Sequence, residues 1–183
     1  MMRDVLVVQT GTANIASVLA GLWRAGSRPV IDGDPERLAK ADRVVVPGVG
    51  ALAAAMSRLE NEGLNEVLAD RVREGRPTLA ICLGLQLLCR GSEESPGTAG
   101  LGVLEADVKR FTGEVRVPQM GWNRVVPGND CRYLKPGHAY FANSYRLATV
   151  PDHWAAAWSD HGGPFVAAAE RGDVVGCQFH PEL

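Results

Sequence analysis

An α/β domain on a mostly parallel central sheet, with flanking helices and an additional antiparallel section, is the fold class this sequence predicts. Short β-branched runs alternate with helical patterns through the first half, as βαβ units require. Those runs are continuous rather than alternating in polarity, which suits strands covered by helices on both faces. From about Gly91 the texture changes to Gly/Ser/Pro-rich loops and brief extended segments, which suit antiparallel strands packed beside the parallel ones.

In chain order, Val5-Leu6-Val7-Val8 reads as a strand and 15–25 as a helix. Residues 43–46 and 51–59 repeat the pair, and a second helix spans 64–73, stopping at Gly75 with Pro77 just beyond. Thr78-Leu79-Ala80-Ile81 is the next strand and 83–89 the next helix. Beyond it, 108–111, 140–141, 155–158, 165–169 and 174–179 are the extended segments of the antiparallel section. There is no internal repeat, low-complexity tract or long linker, so residues 1–183 read as a single domain.

Composition narrows the function classes. Hydrophobic residues are 46% and charged residues 22%, and 19 Lys+Arg against 21 Asp+Glu leave a formal charge of -2. This is ordinary globular usage, without the basic balance of a nucleic-acid binder. No apolar run approaches the roughly 20 residues of a membrane span, and the N-terminal run is too short and wrongly flanked for a signal peptide, so a cytoplasmic location is expected. Cys82, Cys89, Cys131 and Cys177 form no CxxC pair and have irregular gaps, which suggests neither a zinc site nor a disulfide framework. No metal or other cofactor is expected.

The chemistry concentrates in three segments. In Ala80-Ile81-Cys82-Leu83-Gly84 a strand pattern meets a helical one at a cysteine, with small residues two before and two after it. A nucleophile elbow needs that spacing, because the tight turn crowds those two positions while lifting the central side chain above the sheet. The alternative is a buried, inert cysteine at a strand end. Of four histidines, His138 and His161 sit in Gly-containing loop contexts and His153 in a Pro-Asp turn context. His180 ends an apolar run and is followed by Pro181-Glu182; in extended backbone residues i and i+2 share a side, so Glu182 can orient the His180 imidazole. Alone, His-Pro-Glu also suits a surface turn. The third segment, Pro47-Gly48-Val49-Gly50, is a Gly-rich turn whose backbone N–H groups suit an oxyanion or carboxylate. Gly48-Val49-Gly50-Ala51-Leu52-Ala53 also fits a relaxed dinucleotide fingerprint, but the acid about twenty residues on, Asp70, lies within a helical pattern.

Together, Ala80-Ile81-Cys82-Leu83-Gly84-Leu85-Gln86 and Gln178-Phe179-His180-Pro181-Glu182 resemble the signature of class I, triad-type glutamine amidotransferases, a flavodoxin-like α/β fold. The run Thr10 to Val18, Pro47-Gly48-Val49-Gly50, Ser92-Glu93-Glu94-Ser95, Met120-Gly121-Trp122-Asn123, and Tyr140-Phe141 with Ser144-Tyr145 look more narrowly like the glutaminase subunits of imidazole glycerol phosphate synthase. That resemblance implies Cys82, His180 and Glu182 as the catalytic triad and an oxyanion hole of backbone N–H groups from Leu83 and the Val49-Gly50 turn. It implies Gly50, Gln86, Ser144 and Tyr145 as the glutamine pocket. It also implies a heterodimer with a cyclase subunit, a (β/α)₈ barrel that receives the ammonia and makes imidazole glycerol phosphate and AICAR in histidine biosynthesis. Asn14, Met120 and Trp122 are the residues expected to face it, with core packing the alternative for Trp122. Gln119 and Asn143 stand where that family typically has histidine, and the family's C-terminal helix is expected to be lacking after Leu183. A triad glutaminase serving another acceptor, and a non-catalytic module of the same fold, are the rival readings.

Overall fold

The computed structural model describes residues 2–11 and 14–183; Thr12 and Ala13 of the N-terminal motif lie outside the described residues. In chain order the elements are β1 (Arg3–Val8), α1 (Ile15–Arg24), β2 (Ser27–Asp32), α2 (Pro35–Lys40), β3 (Val44–Gly48), α3 (Leu52–Asn61), α4 (Asn65–Arg73), β4 (Thr78–Cys82) and α5 (Leu83–Leu88). There follow β5 (Gly91–Ser92), β6 (Asp107–Arg110), β7 (Gln119–Pro127), β8 (Gly137–Asn143), β9 (Tyr145–Leu147), β10 (Ala155–Asp160), β11 (Pro164–Arg171) and β12 (Val174–Cys177).

The strands run in the order β2-β1-β3-β4-β12-β11-β10-β7-β8, with β9 beside β11 and the short β5 and β6 beyond it. Pairing is parallel from β2 through β12 and antiparallel from β12 to β8. The expectation that 174–179 belongs to the antiparallel section is therefore corrected. β12 is parallel to β4 on one side and antiparallel to β11 on the other, and it joins the two halves. Its buried Val174, Gly176 and Cys177 accept neighbours on both edges and both faces.

The continuous apolar runs bury both faces, as expected of covered strands. Leu6, Val8, Val44, Val46 and Ala80 point to the core shared with Leu38, Met56, Leu68 and Leu85 of α2 to α5. Val5, Val7, Val45 and Ile81 point the other way, toward Val18 of α1 and the aromatic cluster of Phe111, Phe141 and Phe165. α1 leaves part of that second face as an open groove of about 760 Å³ lined by Leu22, Val45, Leu79, Val175 and Phe179.

Two elements of the parallel half escape the sequence reading. β2 is a sheet edge of mixed polarity containing Pro29. α2 has only six residues and starts because Asp34 accepts from the backbone N–H of Glu36 and Arg37, with Pro35 at the first position. In the other half, β7 carries Met120-Gly121-Trp122-Asn123, and His138 lies exposed on β8 rather than in a loop. Buried Arg71 on α4 donates to the carbonyls of Ala41, Asp42 and Pro77 and to Thr78 Oγ, tying the starts of β3 and β4 together. Burial, and then nearby Arg76, lower its pKa to about 10.

Candidate active site

The parallel register sets β3, β4 and β12 side by side, with Gly48 opposite Cys82 and Ile81 opposite Cys177. Three chain segments therefore leave the carboxyl edge of the sheet together, where open α/β sheets place their sites. These are the Val49-Gly50 turn, the Cys82–Leu83 step into α5, and the Gln178 to Glu182 segment.

Cys82 ends β4 with φ 54°, and among the described residues it is the one non-glycine with positive φ. Such a backbone is held only when its surroundings over-determine it. The surroundings are tight: a methyl at Gly84 would strike the carbonyl oxygen of Val46, while Ala80 is fully buried below. The small residues flanking Cys82 are thus required by the turn, as expected of an elbow. Cys82 is 8% exposed and lines a pocket. Gln178 Nε2 donates to its sulfur at 3.5 Å.

His180 and Glu182 come together, but not on extended backbone. The strand stops at Cys177, and residues 180–183 form a turn in which the Leu183 N–H donates to the His180 carbonyl at 3.3 Å. Pro181 has no N–H to continue a ladder, and the turn itself brings Glu182 Oε1 to 2.9 Å from His180 Nδ1. β8 holds the first residue through the Tyr140 carbonyl, which accepts from His180 N–H at 2.9 Å. α1 holds the third: Arg24 Nη2 donates to the Glu182 carbonyl at 2.7 Å. The Cys82 sulfur first, and the Glu182 carboxylate second, push the His180 imidazole up to about 10 against the opposing effect of burial. Both influences favour the protonated imidazole beside the sulfur.

These groups face a pocket of about 300 Å³, a volume suited to a small ligand. Its walls include Val49, Gly50, Cys82, Leu83, Gln86, Ser144, Tyr145 and His180, so the expected triad, oxyanion and substrate residues converge apart from Glu182, which stands behind His180. The larger groove beside α1 holds Cys177 but no pairing of a thiol with a histidine. Three further wall residues, Glu94, Ala142 and Asn143, have no assigned role in the sequence reading. Glu94 is the sole carboxylate of the wall; its signal in the sequence was only the Ser92-Glu93-Glu94-Ser95 run. Asn143 pairs directly with Gln119 across β7 and β8, and both are 5% exposed. The Asn143 Oδ1 and the Gln119 Oε1 are each buried without a hydrogen-bond partner. The two positions singled out separately in the sequence are one cross-strand pair.

The remaining expected residues lie around this edge. Met120 and Trp122 are 67% and 63% exposed, and the Trp122 ring stands edge-on to Tyr140 with centroids 5.9 Å apart. Core packing of Trp122 is thereby excluded. Asn14 is exposed and caps α1, its Oδ1 accepting from Ser17 N–H at 3.4 Å. His161 Nε2 donates to the Arg116 carbonyl at 2.8 Å, and exposed His153 stands 3.4 Å from Glu105, neither lining the pocket.

A thiol on a strained turn, an imidazole oriented by a carboxylate, and a pocket with one acidic wall residue can perform nucleophilic attack on a small electrophilic substrate. The family model "Glutamine amidotransferase class-I" matches residues 27–183. The chain is 40% identical over 98% of its length to "Imidazole glycerol phosphate synthase subunit HisH" of Yersinia pseudotuberculosis, covering 91% of that protein. It is 38% identical over 98% of its length to the subunit of the same name from Escherichia coli K12, again covering 91%. The relative of that name in Symbiobacterium thermophilum is 37% identical over 99% of this chain and 87% of its own. Among solved structures, one described as a glutamine amidotransferase superposes with a TM-score of 0.78 at 22% identity, covering 97% of this chain and 90% of the other. PurLQS from Thermotoga maritima gives 0.72 at 17%, covering 100% and 89%. At those identities the superpositions speak for the fold alone.

Proposed function

The chain belongs to the class I glutamine amidotransferases and, within them, to the HisH subunits of imidazole glycerol phosphate synthase, and from that membership we propose that it hydrolyses glutamine through Cys82 and hands the ammonia to a cyclase subunit. Cys82, at the strained end of β4, and His180, with Glu182 at 2.9 Å behind it, line one pocket, and that observation carries the reading.

The thiolate attacks the side-chain carboxamide carbon of glutamine, and the carbonyl pair of electrons moves to oxygen. Backbone N–H groups of Leu83 and of the Val49-Gly50 turn hold that oxyanion. His180 donates its proton to the departing nitrogen, the C–N bond breaks, and ammonia leaves a glutamyl thioester on Cys82. The neutral imidazole then takes a proton from water, which attacks the thioester and releases glutamate and the thiolate. Glu182 keeps Nδ1 protonated and the ring in register throughout. Glu94 meets the substrate α-ammonium, while Gly50, Gln86, Ser144 and Tyr145 fix its backbone end.

Ammonia that reached bulk water would be protonated, so the product is useful only when a partner covers the pocket mouth. Met120 and Trp122, with Asn14, form the face for that partner, a (β/α)₈ barrel that incorporates the nitrogen to give imidazole glycerol phosphate and AICAR in the cytoplasm. An exposed aromatic of this kind is a strong interface anchor. Residues 1–183 act as one glutaminase unit without a cofactor.

The test is glutamate release from glutamine by the purified chain, alone and with the barrel cyclase and its nucleotide ligand. Release that requires the complex and vanishes in Cys82→Ala is the expected result. A folded, partner-bound chain that releases no glutamate would overturn the catalytic reading.

A further inference from the structure

The buried side of Cys82 meets a side chain that the reaction above leaves without a role. Gln178 is 0% exposed, just past the end of β12, and its backbone N–H donates to the Ala167 carbonyl at 2.8 Å. It is absent from the pocket wall. Its Nε2 donates to Cys82 Sγ at 3.5 Å, and its Oε1 accepts from Gln86 Nε2 at 3.0 Å. A carboxamide has a donor end and an acceptor end. With Gln86 Nε2 donating to Oε1, the donor end of Gln178 faces the sulfur. Gln178 is shielded from solvent, and Cys82 and Gln86 are exposed only slightly, on the pocket side.

We propose that Gln178 is a positioning residue for the nucleophile: its amide N–H anchors the Cys82 sulfur and favours the thiolate, and Gln86 braces that amide while also walling the substrate pocket. This rests on the reading of Cys82 as the nucleophile of a glutaminase. A thiolate accepts a hydrogen bond more strongly than a thiol does, so a fixed donor lowers the cost of ionisation. The other titratable groups around the sulfur act differently. His180 favours the thiolate only while it is protonated. Glu182 behind His180 and Glu94 on the pocket wall oppose it, and burial keeps the Cys177 thiol neutral by raising its pKa well above the usual range. Among these groups, Gln178 is the donor whose effect is independent of pH. The anchoring also supplies a physical reason for the 54° φ at Cys82, because the side chain of a strained residue is held from below as well as by its backbone.

The experiment is the rate of alkylation of Cys82 by chloroacetamide between about pH 5 and 10, followed by peptide mass spectrometry on the full chain. Removing one charge-assisted donor in Gln178→Leu should raise the thiolate midpoint by about one unit and slow alkylation at neutral pH about tenfold. Gln178→Glu keeps the shape and an oxygen for Gln86 but turns a carboxylate toward the sulfur, and should slow it further. Gln86→Leu, which frees the amide to turn, should fall between wild type and Gln178→Leu. A folded Gln178→Leu whose profile overlays wild type overturns the proposal, since a purely structural role would lower the melting temperature without moving the midpoint. If Gln178→Leu does not fold, Gln178→Glu decides it by the same criterion. Failure of the glutaminase reading has another signature: wild type releases no glutamate in the complex, although Cys82 alkylation still responds to Gln178.

Discussion

Cys82 and His180 leave neighbouring parallel strands at the same edge of the sheet, yet they are held by opposite means. The backbone of the cysteine is fixed locally: it carries its own strain, and Ala80 and Gly84, two residues away on either side, leave the room it needs. The histidine is fixed from a distance. Its N–H is held by Tyr140 of β8, its ring by Glu182, and the Glu182 carbonyl by Arg24 of α1. A nucleophile whose backbone turn is specified by five consecutive residues is therefore served by a base whose placement depends on three separate parts of the chain.

That contrast can be broken at either end. His180→Ala should lower glutamate release in the partner complex by about 10²–10⁴-fold, the usual worth of a positioned acid–base group, at a temperature where the variant remains folded. Gly84→Ala should instead damage the fold along with the activity. The added methyl would collide with the Val46 carbonyl, a backbone group that cannot swing aside, and overpacking of this kind costs about 1–3 kcal/mol or more, visible as a melting temperature several degrees lower.

Subtler changes sharpen the comparison by loosening only the turn. Glu182→Gln keeps an acceptor for Nδ1 but removes the charge, and should cost about tenfold in turnover. Followed by NMR, the His180 titration should drop below its value of about 10, and drop further in Cys82→Ala, because the sulfur has the larger influence. A folded-state pKa raised above the ordinary 6.5 gives stability that is fully present below that pH and is lost as pH rises through about 10. The difference in melting temperature between wild type and His180→Ala should accordingly shrink over that interval. The smallest effect is expected for Arg24→Ala, which removes one hydrogen bond of about 1 kcal/mol and so should slow turnover roughly fivefold or less.

The same contrast explains what could be read from the sequence. The elbow was legible because its determinants, Ala80, Cys82 and Gly84, are adjacent in the chain and their spacing has one steric cause. The strands β1, β3 and β4 were legible because burial on both faces leaves continuous Val/Leu/Ile runs. β2 and α2 were not, since an edge strand with Pro29 and a six-residue helix begun by an Asp34 cap carry little hydrophobic pattern. The place of β12 was misassigned because pairing partners are chosen across the sheet, and nothing in Val174-Val175-Gly176-Cys177 says which neighbour is parallel. His180 and Glu182 were found for their chemistry and spacing, but on the wrong backbone: a turn, not an extended strand, joins them. Gln119 and Asn143 were noticed singly, and only the β7–β8 register makes them partners. Glu94 and Gln178 acquire a place only once a strand end, a loop and a helix meet around the sulfur.

The central claim is that Cys82 forms a covalent bond to the substrate. Acid quenching of the partner complex during turnover, followed by peptide mass spectrometry, tests it directly. The account predicts a glutamyl group on the peptide containing Cys82, at higher occupancy in a variant slow to hydrolyse the thioester and absent from Cys82→Ala. Sustained glutamate release by Cys82→Ala at the wild-type rate, or a glutamyl group trapped on a different residue, would contradict it.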